Sequence, residues 1–288
     1  MKTPYPSKEE IKEIARKCGI ADCGIVSAEQ SIAEYAHYLE CTENLPPELA
    51  YLRRPWDKRE RLSLWDPRAK SAIVCAFPYW DRNRDYAAEM AAINAEEGAA
   101  RYLERTGRQN LQYGLLNRPD AKISRYALSP DYHKWVKEKL RMIRDLLKKT
   151  NPTICGSVFC DTSPVMEKEL ARLAGLGFRG RNSLIISPKF GSWFHIGGLT
   201  LNFYIEPDSP INPPLFPQDN SDGKKEYGCG NCHICEKICP QKALSDGKVN
   251  QSRCSSYLNT QVKTQLPPNV LLPYSYGCDL CQEHCPYN

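Results

Sequence analysis

The sequence has no long apolar run: stretches such as residues 73–77 fall far short of the roughly 20 residues that span a bilayer. Nor does its start, MKTPYPSKEEIKEIARKCG, contain the apolar core of a secretory signal. A membrane helix and export are therefore not expected, and a cytoplasmic location is. A GxGxxG turn and a P-loop are also missing, which leaves Rossmann-type nicotinamide or flavin binding and ATP binding unsupported. Charge is not heavily of one sign: 39 Lys and Arg face 34 Asp and Glu, and the formal +5 permits a nucleic-acid partner without requiring one.

What is present is globular composition, 25% charged and 41% hydrophobic, on 288 residues, enough for a main domain and a small second one. Ser7 and Glu10 form a capping box ahead of an apolar stripe at Ile11, Ile14, Ala15 and Cys18, and Gly19 stops that helix. Strands are expected at 23–27 and 71–77, with a helix near 32–39 between them. Residues 84–105 read as helical and 106–119 as a loop. Val136, Leu140, Ile143 and Leu147 make a helical stripe. A strand at 153–159, a helix at 164–174 and strands near 184–186 and 199–205 follow, so the fold class is α/β (α+β). Five prolines between 206 and 217 and a polar stretch at 218–225 read as a linker, with a boundary near 206–226. The expected organisation is an α/β domain over 1–210 and a small second domain over 220–288.

Fourteen cysteines in an unexported chain should be thiols or metal ligands rather than disulfides. The first set reads Cys229-x2-Cys232-x2-Cys235-x3-Cys239-Pro240, the ferredoxin run in which three thiolates clasp one cubane and the fourth reaches another. The second is Cys254, then Cys278-x2-Cys281-x3-Cys285-Pro286. By that crossover, one [4Fe-4S] cluster takes Cys229, Cys232, Cys235 and Cys285, and the other takes Cys239, Cys254, Cys278 and Cys281. Such short loops turn around a cubane with amide N–H groups aimed at the sulfurs. Zinc is the alternative, but its sites use separated C-x2-C pairs rather than three thiols in a row. His233 and His284 lie within these loops as packing or surface groups. Cys18, Cys23, Cys41, Cys75, Cys155 and Cys160 are expected to be small buried hydrophobes.

Two clusters attached to a domain of some 200 residues imply an electron acceptor in that domain, since a carrier needs only the cluster module. The segments DTSPVMEKELARLAGLGFRGRNSLIISPKFGSWFHIGGL (161–199), ISRYALSPDYH (123–133), RCSSYL and YGCDLCQEHCPYN resemble the epoxyqueuosine reductase family. AYLRRPWDKRERLSLWDPRAKSAIVCAFPY follows the family's rhythm more loosely. The resemblance implies cobalamin, bound without a protein axial ligand in a nitroreductase-like domain related to corrinoid reductive dehalogenases. It further implies that electrons pass through the two clusters to that cofactor, and that epoxyqueuosine in tRNA is reduced in the last step of queuosine synthesis.

The family's D-[ST]-x-P segment puts the acid that protonates the departing oxygen at Asp161. A raised pKa would suit that role. The competing reading is that Ser163 caps a helix begun by Pro164, with Asp161 near its positive end and its pKa lowered. Gly175, Gly177 and Gly180 allow close approach of a large ligand or form a C-cap and turn. Arg181, Asn182 and Ser183 can hydrogen-bond a corrin's amides. Trp193, in Gly191 to Phe194, belongs to a binding loop or a packed hairpin. Arg125, Tyr126, Asp131, Tyr132 and His133 line the pocket or serve structure.

Lys134, Lys137, Arg141, Arg144 and Lys148 form one basic stripe, and Arg53, Arg54, Lys58, Arg59 and Arg61 a second cluster, each a phosphate contact or a solvated flank. The chain departs from the family at Arg181, where Lys is usual, at Gly198, where Glu is commoner, and in a longer 82–120 segment. Three residues follow Cys285, without the helical-repeat extension that many members use around tRNA. Expected partners are tRNA and an electron donor such as ferredoxin or flavodoxin, with the chain a monomer. The alternatives are another corrinoid-dependent reductase acting on a small molecule, and an electron carrier or corrinoid-activating protein.

Overall fold

In the computed structural model, which describes residues 4–43, 45–53, 57–108, 111, 113–211, 228–264, 266, 270 and 272–288, the chain opens with the capped helix its sequence announces. Ser7 Oγ accepts the Glu10 N–H at 3.2 Å and the Glu10 carboxylate accepts the Ser7 N–H at 2.7 Å, so two orphan donors are satisfied reciprocally. Helix α1 (Lys8–Lys17) then buries Ile11 and Ala15, and Gly19 turns the chain at φ +75°. β1 (Asp22–Ser27), α2 (Tyr35–Glu43), a one-turn α3 (Leu62–Trp65) and β2 (Ser71–Pro78) follow. The expected 84–105 helix is two, α4 (Tyr86–Glu96) and α5 (Gly98–Arg105), because Gly98 takes φ +77° between them. Within the expected 106–119 loop, part of which lies outside the described residues, a short α6 (Tyr113–Leu116) forms. Next come α7 (Tyr132–Thr150), β3 (Val158–Phe159), α8 (Glu167–Leu173), β4 (Phe178–Arg179), β5 (Ile185–Ile186) and β6 (Phe194–Leu201).

Three expected elements are corrected. The strand at 153–159 shrinks to β3, since the Cys155 and Ser157 N–H groups bond the Asn202 and Thr200 side chains instead of a strand backbone. The helix expected from 164 begins at Glu167, after Met166, and Ser163 does not cap it. Tight turns hold 160–165 off the helical path: the Thr162 N–H reaches the Cys160 carbonyl at 2.7 Å and the Val165 N–H the Ser163 carbonyl at 2.8 Å. The last strand is β6, which starts at Phe194 because it pairs with β2 from Pro78 to Ser71.

The sheet order is β1-β2-β6-β3, with every pair antiparallel. Helix and strand alternate along the chain as expected, but no parallel crossover unit is built. α7 lays Val136, Leu140, Ile143 and Leu147 against α1 and one sheet face, around Ile25, Ile73 and Leu199. α8 packs Leu170 and Ala171 on the opposite face, against Val26, Val74 and Ala76. Each such aliphatic side chain contributes about 1.5–3 kcal/mol on burial. Gly198 on β6 could not carry a side chain, because a Cβ there would meet the Phe159 ring at 2.2 Å.

The expected linker lies mostly outside the described residues. The tail after it comprises α9 (Ile234–Ile238), the hairpin β7 (Leu244–Ser245) and β8 (Lys248–Val249), α10 (Ser255–Thr260) and α11 (Leu280–Glu283). Tyr276 of this tail enters an apolar cluster of the body with Trp80, Leu103, Ile123 and Trp193. No helix among the described residues is long and apolar enough to cross a membrane.

Candidate functional site

The tail's short turns bring Cys229, Cys232, Cys235 and Cys285 around a small cavity of about 40 Å³ whose lining includes Arg181 and Asn182 of the body. Cys278 in turn feels the charges of Cys254 and Cys239, and Cys281 those of Cys278 and Cys254. Burial and neighbouring thiols push Cys235 up to about 11 and Cys278 up to about 12, so the negative charge these thiolates would carry calls for a cationic core. Among the described residues no three His, Cys, Asp or Glu side chains close on a single metal-ion position; the thiols face a cavity instead. Amide donors already aim at two sulfurs: the Arg181 N–H at Cys229 Sγ and the Ala243 N–H at Cys239 Sγ, both at 3.3 Å. His233 is engaged with Glu236 and His284 with the Leu280 carbonyl. Of the six scattered cysteines, Cys18, Cys75 and Cys160 are buried and Cys23 and Cys155 partly so; Cys41 is a correction, exposed beside His37.

A polar joint ties this tail to the body. Ser124 Oγ donates to Asp279, the Arg125 N–H donates to the same carboxylate at 2.7 Å, and the Arg125 guanidinium bridges Asp279 at 3.2 Å and Glu283 at 2.6 Å. Asp279 is fully buried. Burial pushes its carboxyl up, against the donors converging on it from Arg125 and Ser124, which favour the charged form. Trp80, Tyr86 and Trp193 pack around the guanidinium at 4.4 to 5.1 Å. Arg125 and Trp193 therefore serve the joint, and Tyr126 packs beside Tyr276. Arg181, Asn182 and Ser183 also face the tail, while Gly177 and Gly180 let the β4-β5 hairpin close on Ile186.

Tyr132, His133 and Asp161 do come together, in a separate cleft. His133 Nε2 lies 2.9 Å from Asp161 Oδ2 and its Nδ1 lies 2.6 Å from Asp131 Oδ1. The Tyr132 ring stacks between His133 at 4.2 Å and His195 at 4.0 Å. Asp161 occupies a left-handed backbone conformation, φ +59°, and its N–H donates to Glu167. Its side chain is 58% exposed, so the cleft is open. Hydrogen bonding to His133 lowers the Asp161 pKa against the opposing effect of burial, which reverses the raised value expected for an acid. Bonding to Asp161 raises His133 correspondingly. The carboxyl that burial and the Asp161 charge push up, to about 8, is Glu167. Burial instead holds His195 down at about 3, neutral, with its Nε2 lacking a hydrogen-bond partner. Lys168 donates to the Ser183 carbonyl at 2.9 Å and lies within electrostatic reach of Cys281, Glu167 and Asp161.

Glu167, Lys168, His195 and Asp279 escaped the sequence reading. The EK pair two residues after Pro164-Val165 was a usable signal for the first two; nothing local marks the others. Lys137 donates to Thr162 beside Asp161, so the basic face of α7 begins at the cleft. Arg53 donates to the Thr42, Glu43 and Leu45 carbonyls, Arg59 donates to the Val165 carbonyl at 3.4 Å with its Nε unpartnered, and Arg54 lies outside the described residues.

Residues 228–288 match the 4Fe-4S double cluster binding domain, and residues 59–162 match Epoxyqueuosine reductase QueG, DUF1730. Two four-iron clusters are thus the tail's cofactors. The epoxyqueuosine reductase of Leadbetterella byssophila is 31% identical over 97% of this chain and 79% of its own. A crystal structure of an epoxyqueuosine reductase with a tRNA-Tyr epoxyqueuosine-modified stem loop superposes with a TM-score of 0.68, at 26% identity, covering 98% of this chain and 65% of that one. The Bacillus subtilis enzyme with its catalytic aspartate loop swung out of the active site gives 0.69 at 25% identity and the same coverage. The present chain thus spans about two thirds of the solved chains.

Proposed function

Since the chain belongs to the epoxyqueuosine reductase family, we propose that it is an oxidoreductase that reduces epoxyqueuosine in tRNA to queuosine. The observation that carries this reading is the hydrogen-bonded cluster of His133, Asp161 and Glu167 on a chain whose tail matches a double four-iron cluster domain. The overall change consumes two electrons and two protons: the epoxide oxygen leaves as water and a carbon–carbon double bond forms. Cobalamin, when bound, supplies the reduced metal centre for the bond-breaking step. The exposed Asp161 carboxylate beside the stacked Tyr132, His133 and His195 rings, with the buried unpartnered His195 nitrogen, suits a polar cofactor.

In this reading the two sets of four thiolates ligate the two clusters, and Asp161 delivers the proton. The proton rests on His133, whose raised pKa keeps the imidazolium populated, and reaches the leaving oxygen through the Asp161 carboxylate. Glu167, neutral near pH 7, holds the Asp161 backbone in place and is a second proton store. A one-electron carrier of the ferredoxin or flavodoxin type supplies the electrons, the organisation is 1–210 and 220–288, and the setting is the cytoplasm.

The test is anaerobic turnover of epoxyqueuosine-containing tRNA by protein loaded with iron, sulfide and cobalamin, read by nucleoside chromatography. Queuosine is expected in the parent, and Asp161→Asn should lose on the order of 10²–10⁴-fold in rate while keeping its cofactor spectrum. No product from fully loaded parent protein overturns the function; full activity of the variant overturns the role of Asp161.

A further inference from the structure

The turn after β4, residues 180–183, reaches from the body into the tail between the two thiol sets, and each of its polar side chains takes a different part. The Arg181 N–H donates to Cys229 Sγ at 3.3 Å, its guanidinium donates to the Gly230 carbonyl at 3.1 Å, and a guanidinium nitrogen lies 4.0 Å from Glu236. Asn182 donates to the Cys281 carbonyl at 3.3 Å, and Ser183, at φ +61°, donates to the Gly247 carbonyl at 2.6 Å. The Arg181 side chain is only 6% exposed and lines the cavity of Cys229, Cys232, Cys235 and Cys285.

That placement makes the two cluster positions electrically unlike. A guanidinium keeps its charge at any pH the protein meets, and burial limits its screening. A cluster becomes more negative by one charge when it takes up an electron, so a fixed cation and an N–H aimed at its sulfur both favour the reduced form. The inner set, Cys239, Cys254, Cys278 and Cys281, meets this turn through a neutral amide; the Asp279 carboxylate lies beside Cys278 and Lys168 within electrostatic reach of Cys281, while the Glu236 carboxylate acts on Cys229 and Cys235 of the outer set. The outer set opens to solvent past Ile234, which is 41% exposed.

We propose that Arg181 sets the reduction potential of the outer cluster, holding it above the value the same cluster would have without the cation, so that it takes an electron from the donor more readily. Each transfer moves one electron between clusters and makes or breaks no bond. The inference rests on the ligand sets proposed above and deepens them.

The experiment is a redox titration, followed by electron paramagnetic resonance, of the full chain reconstituted anaerobically, with Cys232→Ser identifying the outer cluster's signal. Arg181→Gln should shift the outer potential downward and leave the inner one in place. Arg181→Lys, which carries the side chain usual in the family, keeps a charge but not the planar fork and should shift it less. Unshifted outer potentials in both variants, or equal shifts of both clusters, overturn the proposal. If Arg181→Gln fails to assemble the outer cluster, Arg181→Met, which also removes the charge, decides instead: a downward shift confined to the outer cluster supports the proposal, and no shift overturns it. Fewer than about eight irons in the unsubstituted protein would instead overturn the ligand sets, so the two failures are distinguishable.

Discussion

Helix α7 in the body buries four aliphatic side chains, whereas α9 in the tail buries none and α11 buries only the polar Gln282. The body is held by apolar layers on both faces of a sheet. The described tail owes its place to thiols, to Asp279 and Glu283 paired with Arg125, and to Tyr276 inserted in a body cluster. A segment of about 60 residues with so little apolar interior is expected to need a cofactor or a neighbour to stay folded. It has both, and both touch the electron path: Asp279 adjoins Cys278, and Asn182 holds the Cys281 carbonyl.

The largest test of this contrast is removal of iron. Chelation should abolish activity and expose residues 228–288 to limited proteolysis while the body stays resistant, read by fragment mass; a tail equally resistant without iron would show that protein contacts alone hold it. Next is the joint. Asp279→Ala strands the Arg125 charge in a buried setting and should cost about 3–5 kcal/mol, measured by denaturant unfolding with the tail melting first. A single transition with an unchanged midpoint would mean that the joint is decorative.

The smallest effect sharpens the contrast from the body's side, at Glu167. Its carboxyl is raised from near 4.5 to about 8 in the folded protein, so between those values the folded state binds more protons and stability falls as pH rises. Glu167→Gln should remove that slope over pH 4.5 to 8, followed by thermal unfolding across pH; an identical slope would place the titration elsewhere. His133 acts on its own window: raised by Asp161, it contributes stability that is full below about 6.5 and is lost as pH climbs through its folded value.

Much of this was legible from residue spacing. The capping box at Ser7 and the stripe of α7 depend on neighbours three to seven positions apart, and each stands where it was expected. Arg181 and Arg125 were not legible, because a cation in a glycine-rich turn suits a corrin amide as well as a cluster, and its partners here lie 48 and 154 residues away. The Asp161 pKa was anticipated in both directions, and His133, 28 residues distant, decided it.

By itself, then, the order of residues determined which faces are apolar and that the tail is a double-cluster module, since periodicity and loop length are properties of a short stretch of chain. Only the folded molecule decided which carboxyl keeps its proton and which arginine sits beside the outer cluster. Burial and charge act through space, and the groups that set them arrive from remote parts of the chain.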